Sequence, residues 1–373
     1  MISYWEQQSL LQYDDIILGS GITGLSAAIT LKENYPQRRI AVLERGIMPT
    51  GASTRNAGFA CIGSLTEILA DLKTMPADHV VALVELRKAG LHMLRQRLGD
   101  QRIGYRENGS YELISEKEAY ALAHIEEVNQ LLWPILGMPA YLPANEKIAG
   151  FGFNTKALVE NNCEGELHTG KMMRALIDLA IERGVEIKTG CEVLGYEEAE
   201  NGVNVVVQRE WMNETISFTA QRLAICTNAF AKQLLPAEDI TPGRGQVLVT
   251  QPIPGLPFKG VYHFDEGYYY FREIDGRILF GGGRNLDFEG ETTTSFELNM
   301  RIQQDLEEKL RTVIIPDIPF TIDMRWAGIM AFGTTKRPVV KQLSPRLFVA
   351  ARMGGMGVAI GSAVAKQLAE LMD

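Results

Sequence analysis

No apolar run in this 373-residue chain approaches the roughly 18 residues that a membrane-spanning helix needs. Cysteine is scarce as well. Cys61, Cys163, Cys191 and Cys226 form no CxxC pair, which argues against a disulfide framework and predicts free thiols in a reducing compartment. The five histidines (His79, His92, His124, His168 and His263) never stand at ligand spacing, so no metal site is expected. A cationic excess is missing too: the formal charge is −9, which disfavours nonspecific attraction to nucleic acid or anionic membrane. The opening "MISYWEQQSLLQYDD" has neither a basic start nor an apolar core, so it does not read as a secretory signal, and a cytoplasmic location is expected. Repeats, low-complexity tracts and linkers are absent. What remains is an ordinary globular composition, 46% hydrophobic and 22% charged, long enough for two or three domains.

The chain begins as strand, tight turn, helix and strand. In "YDDIILGSGITGLSAAITLKENYPQRRIAVLERG", Ile16–Leu18 is a short apolar run ending at Gly19, and Ala27, Ala28 and Leu31 give the next helix its apolar face. From Cys61 to about Glu160 the texture turns helical around a strand-like "GSYELIS". An amphipathic helix follows over "TGKMMRALIDLAIERG", with Met173, Leu176, Ile177 and Ala180 on one face and Gly184 as its stop. Residues 190–226 read as a β-meander with a hairpin turn at Asn201–Gly202. A second β-rich block covers Gly245 to about Gly328, interrupted by one helix over "SFELNMRIQQDLEEKL". The end, "LFVAARMGGMGVAIGSAVAKQLAEL", is again strand, glycine turn and helix. This pattern predicts an α/β protein. Residues 1–60, 161–240 and 330–373 would form a nucleotide-binding domain, and 61–160 and 241–329 a second domain of mixed, largely antiparallel sheet and helices.

Gly19-Ser20-Gly21-Ile22-Thr23-Gly24 fits GxGxxG between strand and helix. The first glycine permits the turn, the second lets backbone approach a pyrophosphate, and the third lets helix and strand pack closely. The helix N-terminus adds amide donors and partial positive charge. Glu44 stands 20 residues after Gly24, where a carboxylate can accept from a ribose 2′-hydroxyl. FAD and NAD share this fingerprint. "GASTRNAG", Gly51–Gly58, supplies small residues and Asn56 for close passage along a flat, bulky group. The closing glycine turn, Met353–Gly357, gives the second loop a purpose. If both strand–glycine–helix units lie side by side in one sheet, they grip opposite ends of one FAD. The last helix would then favour negative charge on the flavin pyrimidine.

With "DDIILGSGITGLSAA", "LERG", "GASTRNAG", "CTNAF", "GRGQVLV", "DGRILFGGG", "RWAGIM" and "GGMGVAIG" in this order, the chain resembles the D-amino-acid oxidase-like flavoproteins. That family includes glycine, sarcosine and γ-glutamylputrescine oxidases, and the likeness covers nearly the whole chain. The resemblance implies a Rossmann-like FAD domain and an oxidoreductase. Glu44 and Arg45 would hold the adenosine ribose and its surroundings. Gly51, Ala52, Ser53, Asn56, Ala57 and Gly58 would line pyrophosphate and flavin, and Val193 would meet adenine through its backbone. Thr227, Asn228 and Ala229 would close over the dinucleotide, and Gly354, Gly355, Met356, Gly357 and Val358 would approach the flavin pyrimidine. Members with covalent flavin use a Cys after the strand reading "RWAGIM" here, or a His within the stretch reading "STRNAG". Neither is present, so FAD is expected to be noncovalent. The family's carboxylate-clamping Arg is missing from Gly328-Ile329-Met330-Ala331. Arg272 and Arg337 are the replacement candidates, and amines without an α-carboxylate are the expected substrates.

The implied reaction is oxidation of the CH–NH bond of a small amine or N-substituted amino acid, giving an imine that water hydrolyses. Free alkylamines titrate near the lysine value of about 10.4, so an apolar pocket would help to bind the reactive, unprotonated form. In Tyr268-Tyr269-Tyr270-Phe271, alternate residues share a face, so either Tyr268 and Tyr270 or Tyr269 and Phe271 cover the flavin, with Tyr269 preferred. His263 could orient substrate. Dioxygen or another electron acceptor would complete the cycle. The alternatives are a dehydrogenase with a non-oxygen acceptor, a tRNA-modifying flavoenzyme, and an NAD-dependent dehydrogenase. The acidic charge weighs against the tRNA reading.

Overall fold

The computed structural model describes residues 2–209 and 214–373; positions 210–213 of the expected meander lie outside them. Two eight-stranded sheets organise the chain. In the first, the opening strand Gln12–Leu18 pairs in parallel with Ile40–Leu43 on one side and Glu214–Ile225 on the other. Glu186–Lys188 extends one end, and Leu347–Ala351 followed by antiparallel Val339–Gln342 extends the other. Side chains alternate across the sheet. Ile17 and Val42 face the helices Ile22–Asn34, Thr169–Glu182 and Gly357–Leu371. Ile16, Leu18, Ala41 and Leu43 face the meander residues Val203, Val205, Val207 and Phe218. Burial on both faces is why these strands read as continuous apolar runs.

The first and last units meet through their helices and not their strands, because Glu214–Ile225 lies between Gln12–Leu18 and Leu347–Ala351. The helices approach across that strand so closely that a Cβ built on Gly361 falls 2.8 Å from the Ile22 side chain. The helix Ala77–Leu98 crosses the terminal helix equally tightly, since a Cβ on Gly90 would lie 2.1 Å from the Ala359 carbonyl oxygen.

The second sheet runs in the order Ile322–Phe332, Thr241–Thr250, Arg277–Gly282, Tyr269–Ile274, Val261–Phe264, Ser110–Ile114, Ala157–Asn161, Tyr141–Pro143. All its pairings are antiparallel except Val261–Phe264 with Ser110–Ile114. One face carries an aromatic core of Phe153, Phe258, Tyr262, Phe264, Tyr269, Phe271 and Phe280, sealed by Ile302 and Leu306 of the helix Met300–Lys309. That helix starts later than its sequence pattern suggests. Asn299 caps it by accepting from the Arg301 and Ile302 amides, and Ser295–Leu298 remain non-helical.

Candidate active site

A cavity of about 610 Å3 lies between the two sheets and touches both glycine turns. At one end it is lined by Gly19, Gly21, Ile22, Thr23, Glu44, Arg45, Val193, Thr227 and Asn228. Gly19 adopts φ +95°, and a Cβ on Gly24 would fall 2.0 Å from the Gly19 carbonyl oxygen, so both positions require glycine. Gly24 serves from behind, and neither it nor Ala229 reaches the wall. The Glu44 carboxylate accepts from the Ser20 amide at 3.0 Å, the Ser20 hydroxyl at 2.6 Å and the Gly46 amide at 3.0 Å. Its orientation is therefore set by the loop it follows. Arg45 stacks over Phe230, 4.2 Å from the ring centroid.

The middle of the cavity is built by Gly51–Gly58 and Met353–Val358. The Ser53 hydroxyl accepts from the Ile22 amide at 3.0 Å and so occupies the first donor of the dinucleotide helix. The Arg55 guanidinium donates to the Thr50 and Ala327 carbonyls, while the Trp326 indole N–H donates to the Arg55 carbonyl. Asn56 bonds to Ala52, Ser53, Gly58 and Thr169. Asn56 is thus a loop former as well as a wall residue. Gly58 stays behind the wall, where a Cβ would strike the Leu167 carbonyl at 2.2 Å. At the far turn, the Asn228 side chain accepts from the Arg352 and Met353 amides, joining the two loops directly. Gly354 and Gly355 have φ +56° and +81°, a reversal open to glycine at little cost.

The remaining end is lined by Phe59, Cys61, Glu67, Asp71, His263, Tyr268, Tyr270, Arg284, Met330, Phe332 and Lys336. Tyr268 and Tyr270 face the cavity; Tyr269, the preferred residue from sequence, does not. It is 1% exposed, stacks on Phe264, and donates its hydroxyl to Asp305 at 2.8 Å. The sheet face that packs on the Met300–Lys309 helix claims it. Arg272 also stands away from the cavity. Its guanidinium donates to the carbonyls of Ala57, Gly58 and Leu167 and pairs with Glu166 at 3.1 Å, so it braces the Gly51–Gly58 loop from behind. Arg337 is exposed and outside the lining.

His263 reaches the wall, edge-on to Phe59, with Nε2 3.4 Å from the Cys61 sulfur and 3.8 Å from Glu164. Cys61, Glu164 and His263 bring their polar atoms within 4.8 Å of one another, a grouping that sequence spacing concealed. Burial lowers the His263 pKa against the opposing pull of Glu164 and Glu67, and burial pushes the Cys61 thiol well up. Both are neutral near pH 7. Burial opposes ionisation of Glu67, but Arg87 and Lys336 outweigh it and hold its pKa near about 2. Lys336 also pairs with Asp71 at 2.5 Å. The sequence reading missed Glu67, Asp71, Lys336 and Arg284. Only Arg284 had a local signal, a cation directly after the triple glycine that ends a strand.

These features define an α/β dinucleotide-binding oxidoreductase in which a second sheet completes the wall of the cavity. The residues fit FAD by a direct test: the Thr227 hydroxyl is buried without a hydrogen-bond partner at the dinucleotide end, and the turn beside it has no room for a side chain at Gly24. The chain belongs to the DAO family of FAD dependent oxidoreductases, whose profile matches residues 14–371. FAD is the cofactor of this family. It is similar to the probable oxidoreductase OrdL of Haemophilus influenzae, 24% identical over 96% of this chain and 82% of that protein. Among solved structures it resembles glycine oxidase from Geobacillus kaustophilus, with TM-score 0.76, 21% identity and coverage of 97% and 94% of the two chains. L-proline dehydrogenase from P. horikoshii also gives TM-score 0.76, at 17% identity, covering 97% of this chain and 93% of the other. Among the described residues, no helix is long and apolar enough to cross a membrane.

Proposed function

We propose that this oxidoreductase oxidises the CH–NH bond of a small amine or N-substituted amino acid, giving an imine that water hydrolyses. The observation that carries the reading is the far end of the cavity. Its aromatic wall of Phe59, Tyr268 and Tyr270 surrounds a His263 that burial keeps neutral, while the acids Glu67 and Asp71 are already paired with cations and the third lining acid, Glu266, is solvent-exposed. A substrate amine entering there loses water and meets no unpaired buried carboxylate among these residues, so the unprotonated form is favoured. Bound FAD would supply the two-electron acceptor. Gly51–Gly58 and Met353–Val358 would hold that group, with Glu44, Thr227 and the amides of Gly21 and Thr23 on its dinucleotide portion, the Ile22 amide being taken by Ser53. Glycine oxidase and L-proline dehydrogenase, whose folds this chain shares, carry amino acids in their names, which supports the substrate class.

The test is anaerobic. Glycine, sarcosine, proline and simple secondary amines are added to the FAD-loaded protein while absorbance near the flavin maximum is followed. Bleaching by a member of the panel, with the carbonyl product recovered, is expected. Failure of every member to bleach protein that dithionite does reduce refutes the reading. Admission of air then identifies the acceptor: rapid return of colour with peroxide marks an oxidase, and persistent reduction marks a dehydrogenase.

A further inference from the structure

Cys61, Glu164 and His263 come from three elements that meet where the two sheets close on each other. The short strand Phe59–Ala60 pairs antiparallel with Gly165–Glu166, Ala60 opposite Gly165, so the next residues along each, Cys61 and Glu164, fall side by side. His263 reaches them from the strand Val261–Phe264 of the second sheet. All three are buried, and one polar or sulfur atom from each lies within 4.8 Å of the other two. The Cys61 sulfur stands 3.4 Å from His263 Nε2, and that nitrogen stands 3.8 Å from Glu164 Oε2.

These spacings suit a four-coordinate ion. Metal–sulfur bonds of about 2.3 Å and metal–nitrogen and metal–oxygen bonds of about 2.0–2.1 Å give a tetrahedron with a sulfur–nitrogen edge of about 3.6 Å and a nitrogen–oxygen edge of about 3.3 Å. The first edge is already in place, and the second closes by about 0.5 Å. The Glu164 carboxylate is fixed from behind. Its Oε1 accepts from the Ile62 and Gly63 amides at 2.7 and 2.9 Å, and its Oε2 from the Ser110 hydroxyl at 2.6 Å. Oε2 retains a lone pair for a metal, and outer partners of this kind orient a ligating carboxylate. Cys61 and His263 line the cavity while Glu164 stands behind them, so the fourth position of the ion opens toward the cavity beside Phe59.

The donor set selects the ion. One thiolate, one imidazole and one carboxylate suit zinc and disfavour the oxygen-seeking magnesium and calcium. Charge agrees: a thiolate and a carboxylate balance a divalent cation in a wall where an uncompensated ion would be costly. Glu67, which also lines this end, is already balanced by Arg87 and Lys336.

We propose that Cys61, Glu164 and His263 bind a zinc-like divalent cation in the wall of the substrate end, and that the bound ion excludes substrate. On binding, the Cys61 S–H bond breaks, its proton passes to solvent, and the sulfur electron pair forms the metal–sulfur bond without any transfer of electrons to the ion's oxidation state. This reverses the expectation of no metal site, which rested on spacing along the chain. The site stands apart from amine oxidation; only the exclusion of substrate rests on that reading.

The experiment uses untagged, FAD-loaded protein with its thiols reduced and metals removed by a chelator. Zn2+ is titrated by calorimetry, with Mg2+ as the control, and the zinc-loaded protein is measured by X-ray absorption. One Zn2+ per chain is expected, with one sulfur at about 2.3 Å and nitrogen or oxygen at about 2.0–2.1 Å, and no binding of Mg2+. Cys61→Ser should remove the sulfur shell and weaken binding by more than about 100-fold, and Ser110→Ala, which only frees the carboxylate, by about 10- to 100-fold. Cys163→Ser should bind as the native protein does. Absence of zinc binding, a shell without sulfur, or native affinity in Cys61→Ser overturns the proposal and leaves the three groups as an internal hydrogen-bonded cluster. If Cys61→Ser loses its flavin, Glu164→Gln carries the comparison, and undiminished affinity there overturns the proposal equally. Anaerobic bleaching by a substrate amine should slow in proportion to zinc occupancy and recover on chelation, with dithionite reduction unchanged. Undiminished bleaching of zinc-loaded protein overturns the placement of the ion's open position toward substrate. If no amine bleaches the protein, the amine reading fails alone, and calorimetry and X-ray absorption still decide the site.

Discussion

Replacing Arg272 by Met separates a loop brace from a substrate clamp. The guanidinium donates at 2.8–3.3 Å to the carbonyls of Leu167, Ala57 and Gly58 and faces the Glu166 carboxylate at 3.1 Å. Both side chains are nearly fully buried, at 6% and 5% exposure. Methionine has similar length, so packing changes little, but Glu166 then keeps its charge with only Asn108 to donate to it. Breaking a buried pair from one side costs about 3–5 kcal/mol. Against a typical domain stability of about 5–15 kcal/mol, that is about a fifth of the total or more. The lost stability should appear in urea unfolding of flavin-stripped protein. FAD in 100-fold excess over its dissociation constant would restore only about 2.7 kcal/mol, and less if the loosened Gly51–Gly58 loop binds it more weakly. Arg272→Lys should be intermediate. An Arg272→Met protein within about 1 kcal/mol of native stability, with normal flavin affinity and a raised KM for acids alone, would refute the brace and make Arg272 a substrate ligand.

Gly24→Ala should give colourless protein that FAD does not reconstitute, since its methyl would lie 2.0 Å from the Gly19 carbonyl oxygen; retained flavin by absorbance would contradict the close packing. Tyr269→Phe should cost about 1 kcal/mol in unfolding through loss of the Asp305 hydrogen bond and leave reduction rates unchanged. His263 has a folded pKa below its ordinary value of about 6.5, so the unfolded chain takes up the proton first. Stability should therefore decline as pH falls below about 6.5, and His263→Gln should flatten that decline, checked by unfolding temperature. Acid precipitation should leave a colourless pellet and yellow supernatant, as noncovalent FAD requires; a yellow pellet would reveal a covalent bond.

Much of the fold was legible because its signals are local. The opening unit combines an apolar run, a glycine turn that tolerates no Cβ, and a helix, all between Gln12 and Asn34, and each of these is set by neighbours in the chain. The terminal unit repeats the pattern, and both turns line one cavity. The substrate end was harder to read. Strand periodicity limited the wall to Tyr268 with Tyr270 or Tyr269 with Phe271, but the choice depends on where the helix Met300–Lys309 packs. Arg272 has the same parity as Tyr268 and Tyr270 and still misses the cavity, because the Gly51–Gly58 loop, remote in sequence, covers that end of the strand. Cys61 and His263, 202 positions apart, meet only when the two sheets close on each other.

By itself, then, the sequence determined the glycine turn at the head of the chain and its repeat near residue 355, since steric demands at Gly19 and Gly24 hold whatever surrounds them. Tertiary structure alone decided which side chains line the far end of the cavity. That depends on sheet faces and on which charges find partners, and neither is a property of neighbours along the chain.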